Sequence, residues 1–179
     1  MRIEKFLAEI EASTLSAQSR TWAYEAAIIK TAVAFEKLML SCLVTAINND
    51  TATIADRTGV VFPKHLTDEV CEFLVTGGGF FDFKGRAGLI ATVKKFVPEN
   101  HWLVNVVKKP TYRVPLDRLI ALRNFAAHES AAGKRALGMV INQDRVRPAG
   151  VWAKTQGRFV QLLGSLRDLA NDIEAAAPY

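Results

Sequence analysis

Apolar residues recur at helical spacing along nearly the whole chain. Ile3, Phe6, Leu7 and Ile10 fall at i, i+3, i+4 and i+7, which predicts an amphipathic helix over residues 2–13. A second, long helix is expected from Ser16 or Ser19, either of which can cap free backbone N–H groups, to Ile47, where Asn48, Asn49 and Asp50 end it. Residues 48–65, punctuated by Gly59 and Pro63, read as an irregular connector before a short helix over 67–75. The loop Thr76 to Gly79 interrupts the pattern, and Phe80, Phe81 and Phe83 then supply apolar anchors ahead of a helix over 88–96 that stops at Pro98. His101 to Val107 fits either a short helix or an extended piece. Pro110 and Pro115 frame a loop leading into a helix over 116–130, followed by a short one over 134–140 and a basic loop over 145–150. The last helix, 154–176, carries Phe159, Leu162, Leu163, Leu166, Leu169, Ala170 and Ile173 along one stripe. The expected architecture is an all-α bundle, one helical domain over residues 1–179, with no internal repeat or linker.

Composition supports a packed domain: 179 residues, half of them hydrophobic and 23% charged. Cys42 and Cys71 form no CxxC and have no histidine at ligand spacing, so both read as buried thiols of a reducing compartment. Charged residues interrupt the N-terminal segment and the apolar stretch Ala26 to Ile47, so neither a secretory signal nor a membrane span is expected and the reading is a cytoplasmic protein. The net charge of +5 conceals an asymmetry. Residues 1–83 carry 7 Lys and Arg against 11 Asp and Glu, whereas residues 84–179 carry 16 against 7. A field of that sign attracts a polyanion such as RNA, although a merely solvated basic surface would have the same composition.

Within the basic half lies Arg123-Asn124-Phe125-Ala126-Ala127-His128. At 100° per residue, Asp117, Ala121, Asn124 and His128 fall within about 60° and form a polar face, on which Asn124 can orient His128. Arg123 lies about 140° from His128, flanked by apolar or small neighbours, so it must snorkel, pair with an acid or meet a partner surface. Two readings compete. In one, Arg123 caps a carbonyl or pairs with Glu25 or Glu36 of the long helix, and His128 is a polar residue near a helix end. In the other, Arg123 offers its planar fork of donors to a phosphate, and His128 supplies the side chain type that changes charge near neutral pH. Metal-independent RNA cleavage needs a base for the 2′-OH, an acid for the leaving 5′-oxygen and fixed cationic donors. A single histidine serves poorly as both, and a two-fold axis beside the hexad would supply a second.

These residues resemble the RNxxxH form of the Rx4-6H motif of HEPN domains, which are small helical bundles. The long second helix with Glu36 amid apolar residues, the Phe-rich piece ending Asp82-Phe83-Lys84-Gly85, and the motif on a late helix fit the same resemblance, with a lean towards the RiboL-PSP-like branch. The resemblance implies a metal-independent endoribonuclease with a composite site at a homodimer interface, and such domains are often toxins, antiphage effectors or RNA-processing components. It implies Arg123 as phosphate binder, His128 as acid/base, Asn124 as the orienting residue and Glu36 as a supporting polar group. RNA, a second copy of the chain and an antitoxin or regulatory protein are the implied partners, and no metal or other cofactor is expected. Glu129 departs from the pattern, where many relatives have a small residue after the histidine. The alternative is therefore a noncatalytic HEPN-like module that binds RNA or protein.

Other features weigh less. Lys108, Lys109, Arg113 and Arg118 precede the hexad helix and are candidates for RNA backbone contacts, against a solvated loop. Gly77-Gly78-Gly79 lacks a following Lys-Ser or Lys-Thr at Walker spacing and reads as a turn. His65 and His101 join no metal motif, Trp22, Tyr24 and Phe35 are expected to fill core, and Trp152 is expected to anchor the final helix. No helix-turn-helix spacing supports a DNA-binding regulator.

Overall fold

The computed structural model describes residues 2–178, and among these every regular element is helical. In chain order the helices are α1 (Arg2–Ala12), α2 (Ala17–Asn49), α3 (Ala52–Thr58), α4 (Asp68–Thr76), α5 (Gly85–Val93), α6 (Trp102–Val107), α7 (Arg113–His128), α8 (Ala131–Ile141), α9 (Ala149–Lys154) and α10 (Arg158–Ala176). No helix among the described residues is long and apolar enough to cross a membrane.

Local chemistry sets most of the boundaries. The Ser16 hydroxyl accepts the Ser19 N–H at the start of α2, Thr67 accepts the Val70 N–H at the start of α4, and Ser130 accepts the Gly133 N–H at the start of α8. His101 does the same for α6, its Nδ1 accepting the Leu103 N–H, which settles 102–107 as helix. Three expectations are corrected. The connector after α2 contains α3, a helix too short to declare a hydrophobic period. The hexad helix starts at Arg113, since Pro115 falls in the first turn, where its missing N–H has no helical partner to lose. The expected final helix starts later, at Arg158, after a break where Gln156 takes a left-handed conformation (φ 53°), and the expected basic loop over 145–150 runs into a separate short helix, α9, to which Trp152 belongs.

Contacts group the chain into two compact units. One comprises the chain up to Val33 with Thr111–Asp168, and the other Ala34–Pro110 with the chain from Leu169 onward. In the second, Phe35, Met39, Leu43 and Ile47 of α2 are buried together with Leu89, Val93, Leu103, Val107 and Ile173, and Phe83 meets Phe35 edge-on at 5.8 Å. Phe81 is buried too, whereas Phe80 is 98% exposed. Cys42 is half-buried and Cys71 buried; both are free, and burial pushes both thiols above their ordinary range.

In the first unit, α7 buries Leu116, Leu119, Ile120, Ala121, Leu122 and Phe125, and α8 packs along it. Tyr24 and Phe159 meet edge-on at 6.3 Å, and the Tyr24 hydroxyl donates to Glu11 of α1 at 2.8 Å, which with burial raises its pKa to about 12. Trp22 does not fill the core as expected but is 60% exposed, because residues two apart on a helix point some 160° away from each other and Tyr24 holds the inner side.

α9 lies directly against α2 in this unit. Gly150 lies on the backbone of Thr21 so tightly that a Cβ there would sit 2.1 Å from the Thr21 carbonyl oxygen. The Gly150 N–H donates to Glu25 at 3.2 Å, and Lys154 Nζ donates to the Ala17 carbonyl at 3.1 Å and the Thr21 hydroxyl at 2.9 Å. Gly150→Ala should therefore lower unfolding stability by about 3 kcal/mol or more, because the obstructing atoms are backbone and cannot swing aside. A urea midpoint shifted downward at unchanged slope would verify this, and a midpoint within error of native would refute the contact.

Candidate functional site

The hexad occupies the last two turns of α7. Arg123 and Asn124 are half-buried, and Arg123 Nη1 donates to Asn124 Oδ1 at 3.0 Å. Arg123 forms no ion pair among the described residues, and the Glu25 carboxylate accepts from the Gly150 N–H instead. Asn124 thus fixes the arginine rather than the histidine. The expected polar face is also interrupted, because Ala121 is buried. His128 is the last residue of the helix and is exposed.

Glu129 follows as the C-cap in the left-handed conformation (φ 43°), its N–H donating to the Phe125 carbonyl at 2.9 Å. Glycine or asparagine is the ordinary occupant of that position, and a glutamate carries a steric cost there. Its charge also acts on Glu25. That carboxyl is 8% exposed, and burial raises its pKa; the Gly150 N–H works the other way, and the negative charge of Glu129 adds to the rise.

The remaining candidates divide between the two units. Glu36 is half-buried on α2 and belongs to the second. Lys108 and Lys109 follow α6 in the same unit, and Lys109 Nζ is paired with Asp172 at 2.7 Å. Lys108 is exposed, and its carbonyl accepts from Arg86. Arg113 and Arg118 stand with the hexad on α7. Arg113 is exposed and 4.0 Å from Asp117, one turn on. Arg118 is half-buried, its guanidinium carbon 5.9 Å from the centre of the Trp152 ring. His65 Nδ1 lies 3.2 Å from the Asn48 carbonyl, and His101 caps α6, with burial lowering its pKa. No cluster of three or more His, Cys, Asp or Glu side chains suited to a metal ion occurs among the described residues.

Sequence reasoning missed a concave surface beside the start of α7, where Trp152 and Arg158 join Arg118. The arginines of residues 145–158 were the available signal, but the residues that meet there come from four separate segments. Comparison of the chain with models of known families, with curated proteins and with solved structures finds no match.

Two substitutions test the electrostatics. Glu25 binds its proton more tightly folded than unfolded, so its ionisation costs stability as pH rises from the ordinary carboxylate range through the raised folded value. Glu25→Gln keeps an acceptor for the Gly150 N–H and removes the charge; it should be more stable than native at neutral pH, with the gap closing as pH falls into the carboxylate range. Urea midpoints across a pH series measure this, and a gap that widens on acidification contradicts it. Glu129→Gly relieves both the left-handed strain and the repulsion on Glu25, and should raise stability by up to ~1 kcal/mol in the same assay; loss of stability would show that the Glu129 side chain contributes more than it costs.

Proposed function

We propose that the chain is a HEPN-like, metal-independent endoribonuclease that cleaves RNA through Arg123, Asn124 and His128 at a site completed by a second copy of itself. The observation that carries the reading is the state of the hexad. Arg123 is held by the Asn124 amide and forms no ion pair among the described residues, so its fork remains available to a phosphate, and His128 is open to solvent at the helix end. In the proposed reaction a neutral His128 takes the 2′-OH proton and the 2′-oxygen attacks phosphorus. A protonated His128 from the second copy gives its proton to the leaving 5′-oxygen, and Arg123 stabilises the charge on the pentacoordinate phosphorus. The products are a 2′,3′-cyclic phosphate and a 5′-hydroxyl. A role as a toxin or as an antiphage or stress effector in the cytoplasm, held in check by an antitoxin or regulatory protein, follows from the same resemblance.

One observation favours a second reading, a noncatalytic module that binds RNA or a protein partner. Glu129 is exposed directly after His128 and carries a negative charge towards any approaching phosphate.

Purified chain incubated with single-stranded RNA in EDTA should yield cyclic-phosphate ends. His128→Ala should reduce cleavage by about a hundredfold or more, the contribution of one positioned acid or base, and Arg123→Ala by a comparable factor, with helicity by circular dichroism unchanged. Cleavage that persists in His128→Ala would end the ribonuclease reading. RNA retention without cleavage by native chain, surviving His128→Ala, would establish the second.

A further inference from the structure

The missed concave surface is built on Trp152, which is only 8% exposed because arginines cover it. The guanidinium carbons of Arg118 and Arg158 lie 5.9 and 5.4 Å from the centre of its ring. A cavity of about 350 Å³ opens there, lined by Arg118 of α7, by Gln143 after α8, by Trp152 of α9 and by Arg158, Gln161 and Ser165 of α10. A smaller one of about 180 Å³ shares Gln143, Trp152 and Arg158 with it and adds Arg145 and Arg147.

The charge there is uncompensated. Four arginines line the two cavities and no Asp or Glu lines either; Asp144 lines a different hollow, with Lys134 and Arg135. None of the four arginines forms an ion pair among the described residues, and Arg158 donates only at long range, 3.3 Å, to the Gln156 amide oxygen. Arg118 Nε is buried and has no acceptor among the described residues. A cation over an indole face is attracted to it, but two guanidiniums on one ring repel each other, and the loop arginines add to that repulsion. A concave, low-dielectric wall focuses the resulting field. An anion with several oxygens relieves the repulsion and satisfies guanidinium forks bidentately, while the two glutamine amides and the Ser165 hydroxyl provide neutral partners for the rest of such a ligand. The larger cavity falls in the size range of small-molecule sites, so a bare phosphate would not fill it.

We infer that this cavity binds the phosphoryl group of a ligand of mononucleotide size, either a free nucleotide or the phosphorylated end of an RNA. The inference stands on the arginines around Trp152 and does not depend on cleavage by the hexad. The cavity and the hexad share one helix, Arg118 lying on α7 ten residues, about 15 Å along the axis, before His128.

Calorimetric titration of the full chain with AMP and with adenosine, and with one short oligoribonucleotide bearing either a 5′-phosphate or a 5′-hydroxyl, tests it. The phosphorylated member of at least one pair should bind roughly tenfold or more tightly than its counterpart, reflecting the charge-assisted forks. A preference confined to AMP identifies a free nucleotide as the source, and one confined to the oligonucleotide identifies an RNA end. Arg158→Gln should abolish the preference, and Lys95→Gln, at an exposed position outside the cavity, should leave it intact. Should Arg158→Gln fail to fold, Arg145→Gln/Arg147→Gln, both at exposed loop positions, takes its place. No preference for phosphate in either pair, or a preference unchanged in the arginine variant, overturns the proposal.

Discussion

Only a hydrogen fits between α9 and the backbone of α2 at Gly150, and the arrangement around α7 depends on that fit. With α9 laid on Thr21, the Gly150 N–H reaches Glu25 and Lys154 reaches back to the first turn of α2, so both ends of the short helix are fastened. Trp152 is thereby presented to Arg118 of α7 on one side and to Arg158 of α10 on the other. The cost is borne at Glu25, a carboxylate kept from water for the sake of one backbone N–H and pressed further by Glu129. Glu129, which strains the end of the hexad helix, thus also adds to the rise that burial imposes on the proton affinity of Glu25, the residue holding α9.

The hexad itself is divided into two structural parts. Arg123 and Asn124 behave as a unit, a guanidinium braced by its sequence neighbour, whereas His128 stands alone beyond the last buried side chain of the helix. Bracing reduces the entropy that an arginine loses on gripping a phosphate, and an exposed imidazole is free to exchange protons with solvent. Both properties suit a site whose second half arrives from another molecule.

The repeating apolar stripes made most of the helices readable. Ile3, Leu7 and Ile10, or Phe159, Leu162, Leu163 and Leu166, declare their period without assistance, and the capping serines and threonines mark where it begins. Three things were hidden for identifiable reasons. Residues 52–58 are too few to show a period. The break falls on Gln156 and Gly157, both left-handed; the glycine could be seen in the sequence, but nothing in a glutamine marks it for the same conformation. Trp22 and Tyr24 are equally apolar on paper, and which of them faces inward is decided by neighbours remote in sequence. The candidate site was legible as far as its residues are contiguous: Arg123, Asn124 and His128 could be found as a string, but their hydrogen bonding could not. The arginines around Trp152 could not be found as a string at all, since tertiary packing alone assembles them.

A six-residue helix with glycine as its second residue has no means of standing alone, being far below the length at which an isolated helix holds together in water. α9 therefore depends on its docking to α2 to stay helical, and its local opening would take Trp152 out from between Arg118 and Arg158. The hexad helix, sixteen residues long with six buried side chains, sits at the other extreme of that hierarchy. Amide exchange would see these two neighbouring surfaces as separate cooperative units, one persisting through fluctuations that transiently erase the other.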